Sequence, residues 1–92
     1  MTEHYTNNRP KDRFELTIDR ELVAWVDYEL AEDSIALNHT EVNPPFRGRG
    51  HAGDIVEFAL IYSQIAKRRV VPNCAFVASF IERNAEYEDL VA

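Results

Sequence analysis

Residues 43 to 53 read NPPFRGRGHAG, a stretch holding all three glycines of the chain, two of its four prolines and two arginines. No other feature constrains the fold as much. Proline donates no hydrogen bond to a strand ladder, so Pro44 and Pro45 end whatever strand runs into them. Gly48, Gly50 and Gly53 allow positive φ and close approach to the backbone. Next comes DIVEFALIYSQIAKRR, which sets Ile55, Val56, Ala59, Leu60, Tyr62, Ile65 and Ala66 at three- and four-residue steps, the period of a helix. The stretch therefore reads as strand, glycine turn and helix start. The first amides of such a helix lack internal partners and carry roughly half a positive charge. That suits an anion such as phosphate or pyrophosphate, with Arg47 and Arg49 on the rim. A tight connection that binds nothing has the same composition.

The rest of the chain falls into place around this turn. Residues 1–12 read as a loose lead-in, and residues 13–92 as one domain, the size for a single core. RFELTI puts Phe14, Leu16 and Ile18 on one face of a half-buried strand, DRE is a turn, and LVAWVDYEL is a second strand. SIALNHTEV is a third, in which Ile35, Leu37, His39 and Glu41 share a face if no bulge intervenes, with Thr40 opposite. Such short connections imply an antiparallel three-strand meander. Lys67, Arg68 and Arg69 are expected in the last turn of the long helix, where cations complement its dipole. VVPNCAFV reads as a fourth strand turning into a short helix over roughly residues 77–84, and AEYEDLVA has no assignment. A strand–helix–strand crossover beside a meander gives a small α/β (α+β) sheet with one parallel pair.

Composition excludes several classes. Hydrophobic residues at 46% and charged residues at 28% describe a globular chain, not a disordered one. A formal charge of −6 disfavours binding to nucleic acid through phosphate neutralisation. No apolar run approaches the roughly 20 residues of a membrane helix, and the polar N-terminus lacks a signal-peptide core, so no membrane contact and a cytoplasmic location are expected. The single cysteine, Cys74, forms no internal disulfide, and three scattered histidines give no metal-ligand spacing. Nor does the glycine stretch fit a P-loop or the G-x-G-x-x-G fingerprint.

VNPPFRGRGHAG is nevertheless similar to one known pattern, V-x-P-x-x-[RQ]-x-x-G-x-[GA], the acetyl-CoA-binding motif of the GNAT N-acetyltransferase superfamily. Val42, Pro44, Arg47, Gly50 and Ala52 occupy its defining positions. FEL, AWVDYEL, HTEV, RGRG, VVPNCAFV and EYEDLV, in that order, resemble a subfamily of very small acetyltransferases marked by a glycine and a cysteine, over residues 13 to 91. The resemblance implies a truncated GNAT-like fold that binds acetyl-CoA: meander, glycine turn, long helix, fourth strand, short C-terminal helix. Amides of residues 47 to 53 (Arg47, Gly48, Arg49, Gly50, His51, Ala52, Gly53) would hold the pyrophosphate. Glu41 and Val42 would pair with the pantetheine arm. The acetyl group would lie between the third and fourth strands near Cys74, for transfer to an amine through an acetyl-cysteine. The chain also departs from the pattern. His51 replaces an aliphatic residue, Ile81 stands where a tyrosine acid is usual, and the helical insertion that normally builds the acceptor site is absent.

Three side chains are candidates for chemistry: Cys74, His39 and Glu41. A lone cysteine at a strand end is otherwise an inert core residue, and becomes a nucleophile only if a dipole or partner lowers its pKa. His39 or Glu41 is placed to deprotonate an incoming ammonium, the alternative being ordinary strand hydrogen bonds. Asn73 either orients a carbonyl or caps the turn. Trp25, Phe14, Tyr28, Phe58 and Tyr62 fall on apolar faces and belong to the core. The acceptor amine is unidentified, with a macromolecule favoured by the missing pocket, and an uncovered sheet edge offers a route to a homodimer. A non-catalytic acyl-CoA-binding module is the alternative reading.

Overall fold

The computed structural model describes residues 2–92. Five strands form one sheet in the order β1-β2-β3-β4-β5: β1 Glu3–Asn8, β2 Arg13–Ile18, β3 Glu21–Leu30, β4 Ser34–Val42 and β5 Arg69–Pro72. The first four pair antiparallel and β4 pairs parallel with β5, through the crossover helix α1, His51–Ile65. Helix α2, Ala75–Arg83, follows β5. The mixed architecture expected from the sequence is present, with one strand more. No helix among the described residues is long and apolar enough to cross a membrane.

That extra strand corrects the reading of residues 1–12 as a lead-in. Glu3–Asn8 pairs along its whole length with β2, and Arg9–Lys11 makes a 3-10 turn closed by Asp12 in the left-handed region (φ 51). The strand is polar because it is an edge, with only Tyr5, Asn7 and Asn8 partly buried. Its hold on the core is specific. Tyr28 donates its hydroxyl to Asn7 Oδ1 at 2.7 Å, and Asn7 Nδ2 donates to the Tyr62 hydroxyl at 3.2 Å.

Alternation does the rest of the work in the meander. Phe14, Leu16, Val26, Ile35 and Leu37 are at most 1% exposed and face α1, whose Ile55, Val56, Ala59 and Leu60 are at 0%. Phe14 is the centre of an aromatic cluster, with ring centroids 4.7 Å from Tyr28, 5.1 Å from Tyr62 and 5.8 Å from Phe58. The β2–β3 hairpin closes on Asp19 and Arg20, both at positive φ, a geometry matching the twist of the strands.

The C-terminal half differs from expectation in two ways. Helix α1 ends at Ile65 and Lys67 takes φ 58, so Lys67, Arg68 and Arg69 lie beyond the helix and do not cap its dipole. Arg68 Nη1 instead donates to the carbonyls of Ala31 and Glu32, pinning the β3–β4 turn. The unassigned AEYEDLVA supplies a 3-10 helix, Ala85–Leu90, and a parallel bridge from Val91 to Val70. Tyr87 is buried there and donates to Glu57 Oε2 at 3.0 Å; burial and that carboxylate push its pKa up to about 12.

Because Asn7 serves two phenols, Asn7→Ala should lower unfolding stability by roughly 1–3 kcal/mol, the cost of stranding partly buried hydroxyls. Urea denaturation checks this, since a residue in a loose lead-in would show no change.

Candidate functional site

The site begins with an irregularity in β4. Asp27 pairs with His39 while the next residue of β3, Tyr28, pairs with Leu37, so β4 carries one extra residue, Asn38. A bulge of this kind reverses which face later side chains occupy. Up to Leu37 the expected face holds. Beyond it, Thr40 and Val42 sit opposite the buried Val26 and Ala24, on the inner face, whereas His39 and Glu41 sit opposite Asp27 and Trp25, on the outer one. The expectation that Ile35, Leu37, His39 and Glu41 share one face is therefore corrected, and Thr40 is the residue turned inward.

At the same point β4 parts from β5. Their pairing ends at Leu37 and Pro72, and the last link is the Cys74 amide, which donates to the Leu37 carbonyl at 3.0 Å. Pro72 is followed by Asn73, whose amide turns back to Val71 and whose side chain donates to Asn38 Oδ1 at 2.9 Å, tying the bulge to the end of β5. From Asn38 to Val42 the edge of β4 has no strand on the β5 side among the described residues.

Cys74 stands where that opening meets α2, as the residue capping the helix N-terminus (φ −79, ψ 128). It is half-buried, and its Sγ lies 3.4 Å from Thr40 Oγ1. No side-chain hydrogen bond of cap geometry forms, but the helix presents its first amides to the sulfur. Burial raises the thiol pKa, yet Thr40 and the amides of Val77, Phe76 and Thr40 outweigh burial, and the pKa is lowered. The dipole invoked for a reactive cysteine is thus in place.

On the outer face, His39 Nε2 and Glu41 Oε1 are 3.1 Å apart. Arg47 reaches the same carboxylate with Nη2 (2.9 Å) and also donates from Nε to the Val42 carbonyl (2.9 Å). The hydrogen bonds from His39 and then Arg47 hold Glu41 below the usual carboxylate range. Neither His39 nor Glu41 contacts Cys74, so the three candidates form two groups on opposite faces of one strand.

The glycine turn lies at the far end of the opening. Gly48 and Gly50 take φ +80 and +82, and a Cβ on either would meet nothing within 4 Å. Glycine is required there by conformation, and the space above the turn is open. Gly50 is the N-cap of α1 and brings no side-chain cap, so the amides of residues 51–53 remain without intrahelical acceptors. His51 lies against them with its side chain 12% exposed and Nδ1 buried without a hydrogen bond; the nearest carboxylate, Asp54, is 3.8 Å away. Gly53 is different: a Cβ there would lie 3.6 Å from Phe80, an ordinary contact.

These pieces join in a groove of about 420 Å³ lined by Glu41, Val42, Phe46, Arg47, Gly48, Gly50, His51, Ala52, Gly53 and Phe76. Eight of the residues expected at a cofactor site are therefore brought together. Cys74 and Asn73 lie beyond its Phe76 end, and the exposed Arg49 does not line it. Phe46, Phe76 and Thr40 were not among the expected residues. Phe76 would follow from starting α2 at residue 75, whereas nothing in the sequence marks the bulge that turns Thr40 inward.

A sheet opened between two parallel strands, with a glycine turn feeding the crossover helix, defines a GNAT-like fold. The solution NMR structure of a GCN5-like protein from Staphylococcus aureus superposes with a TM-score of 0.73 at 16% identity, covering 97% of this chain and 87% of that one. The sequence profile of the GCN5-related N-acetyl-transferases matches residues 13–90, and the chain belongs to that family of enzymes. No curated protein matches it.

Two expectations follow. Gly50→Ala forces a side chain into the left-handed region and should cost about 1–2 kcal/mol, while Gly53→Ala, in a helical turn with room for a methyl, should be neutral or slightly stabilising by up to about 1 kcal/mol; thermal unfolding separates them. Cys74 should alkylate with a midpoint below that of a free thiol, and Thr40→Val should move that midpoint upward. Iodoacetamide rates against pH read both. Because the folded pKa is the lower one, the thiolate's contribution to stability is present above the unfolded value and lost as pH falls through the folded value.

Proposed function

We propose that this chain binds acetyl-CoA in the groove between Val42 and Phe76 and transfers the acetyl group to an amine, with Cys74 as the first acceptor. The observation that carries the proposal is the Cys74 sulfur, lowered in pKa by Thr40 and the start of α2 beside the unpaired edge of β4.

Three features of the groove fit the cofactor. Uncapped amides at the start of α1 suit a pyrophosphate, the space above Gly48 and Gly50 admits it, and the orphaned His51 Nδ1 supplies a further polar contact. The free edge of β4 suits the amides of a pantetheine arm. When bound, acetyl-CoA supplies an activated acyl thioester. Arg47 must release the Val42 carbonyl for that edge to be used, and its release also frees Glu41 from one of the two groups that depress its pKa.

The Cys74 thiolate forms a C–S bond to the acyl carbon as the donor's C–S bond breaks, and the departing thiolate takes up a proton. Transfer to the amine then breaks the Cys74 acyl bond and restores the thiolate. Before that attack an ammonium must lose a proton, and the His39–Glu41 pair is suited to take it. Glu41 accepts from Nε2–H, which orients the imidazole and leaves Nδ1 with its lone pair. The acid role usual for a tyrosine is then not needed, because the departing thiolate takes up the proton that the Cys74 thiol gave up, and the amine attacks in a separate step.

Incubation with acetyl-CoA alone should add the mass of one acetyl group to the intact protein and release CoA. Cys74→Ala should abolish both, and His39→Ala should leave the acylation while slowing release to an amine by roughly 10²–10⁴-fold. Full amine acetylation by Cys74→Ala would overturn the acyl-enzyme route, and absence of any thermal shift with acetyl-CoA would overturn the cofactor itself.

A further inference from the structure

We propose that the cavity at the end of the sheet remote from the glycine turn is a binding site for a small carboxylate with an apolar body. The cavity, about 260 Å³, opens where the last turn of α1 passes over β2, β3 and the start of β4. At roughly 3.3 Å per strand residue, with one residue taken up by the Asn38 bulge, Ile35 on its wall and Val42 in the glycine groove are about 20 Å apart, so the two sites are separate. Its floor is apolar: Phe14, Ile35 and Tyr28 are 0%, 1% and 6% exposed, while Leu30 stands at the rim with 51%.

The polar wall offers donors. Tyr28 donates its hydroxyl to Asn7 Oδ1, Asn7 Nδ2 donates to the Tyr62 oxygen, and Arg9 Nη2 donates to that same oxygen at 3.2 Å. With its oxygen accepting twice, Tyr62 has only its proton left to offer, and no acceptor meets that proton among the described residues. Those hydrogen bonds, Asn7 first and Arg9 second, also hold the phenol below its usual pKa. Arg68 spends Nη1 on the carbonyls of Ala31 and Glu32, and its Nε and Nη2 have no partner among the described residues. Neither Arg9 nor Arg68 is in a salt bridge among those residues. In a chain with 16 acidic and 10 basic residues, two unpaired guanidinium groups at one cavity run against the overall charge. Asp12, the one carboxylate on the wall, is exposed.

Donor chemistry fixes the charge of the ligand and the floor fixes its body. An oxyanion satisfies the two guanidinium groups and the Tyr62 proton in charge-assisted hydrogen bonds. Inorganic phosphate would leave the apolar floor uncovered, and an amine would meet the wrong charge. Tyr62 and His51 stand on the last and first turns of α1, so the helix that starts at the glycine turn ends at this cavity.

The test is an NMR titration of the full chain with benzoate, benzamide and benzylamine. Benzoate should shift the Tyr62 and Arg68 signals to saturation and raise the melting temperature, with benzamide and benzylamine doing neither at matched concentrations. Tyr62→Phe keeps the ring and removes the hydroxyl, both its proton and the oxygen to which Asn7 and Arg9 donate, and should weaken benzoate about tenfold. Arg68→Met should weaken it at least as much, with fluorescence of the sole tryptophan, Trp25, confirming an unchanged fold. Equal binding of benzamide, undiminished binding to Tyr62→Phe, or no saturable shift with benzoate would each overturn the proposal.

Discussion

One surplus residue in β4 sets the geometry of everything downstream of Leu37. With Asn38 bulged, the pleat reverses, and Thr40 and Val42 take the inner face that a regular strand would have given to His39 and Glu41. The bulge coincides with the end of the parallel ladder. Pro72 has no amide proton, so β5 cannot extend the pairing there, and the Cys74 amide takes the last β4 acceptor before α2 begins. Had the ladder run on, the edge of β4 would be sealed and Cys74 would be one more strand residue. Because it stops, a cysteine becomes a helix cap facing a hydroxyl.

Such an opening removes strand pairing from a chain of only 92 residues, so the rest of the fold must hold β4 in place. Two groups of contacts do this. On one side the Phe14 cluster locks α1 over β2 and β3, with Tyr5 of β1 stacked on Phe58 at 5.5 Å. On the other, Val77, Ile81 and Tyr87 bury α2 and the C-terminal 3-10 helix against the same core, and Tyr87 ties them to α1 through Glu57. The bulge itself is bracketed by Asn73 on Asn38 and by Asn43, whose side chain donates to the Leu22 carbonyl at 2.6 Å. Polar side chains thus support the irregular backbone where no ladder can.

How much of this was legible in the sequence depended on whether a pattern recorded it. Three strands alternate and α1 repeats at the helical period, so each element announced its own burial. β1 did not, because EHYTNN has no apolar face; an edge strand held by an asparagine between two phenols looks like a polar tail. The end of α1 was misplaced for a related reason. The basic run of residues 67–69 fits a helix terminus by charge, while Arg68 in fact serves turn carbonyls thirty-odd residues earlier. The glycine turn was recognisable because its demands fall on residue type. The bulge was not, since any residue can occupy it, and with it went the faces on which Thr40, His39 and Glu41 lie.

Separation of Cys74 from the His39–Glu41 pair bears on the proposed chemistry in a particular way. A direct transfer would need cofactor thioester, amine and base assembled at one point, yet the thiol faces inward with Thr40 and the imidazole faces outward with Trp25 and Asp27. Passage of the acetyl group through the Cys74 sulfur, as proposed, separates departure of CoA from attack by the amine. The first step needs only the groove, the lowered thiol and the α2 amides. The second brings an amine to the acyl group at the free edge of β4 with the candidate base on the outer face, where no further layer of the described residues covers His39. His39 is more than half exposed, as an approach from solvent or from a larger partner requires. The proposed two-step transfer thus lets CoA leave the groove before an amine arrives at a sheet whose candidate nucleophile and candidate base lie on opposite faces of one strand.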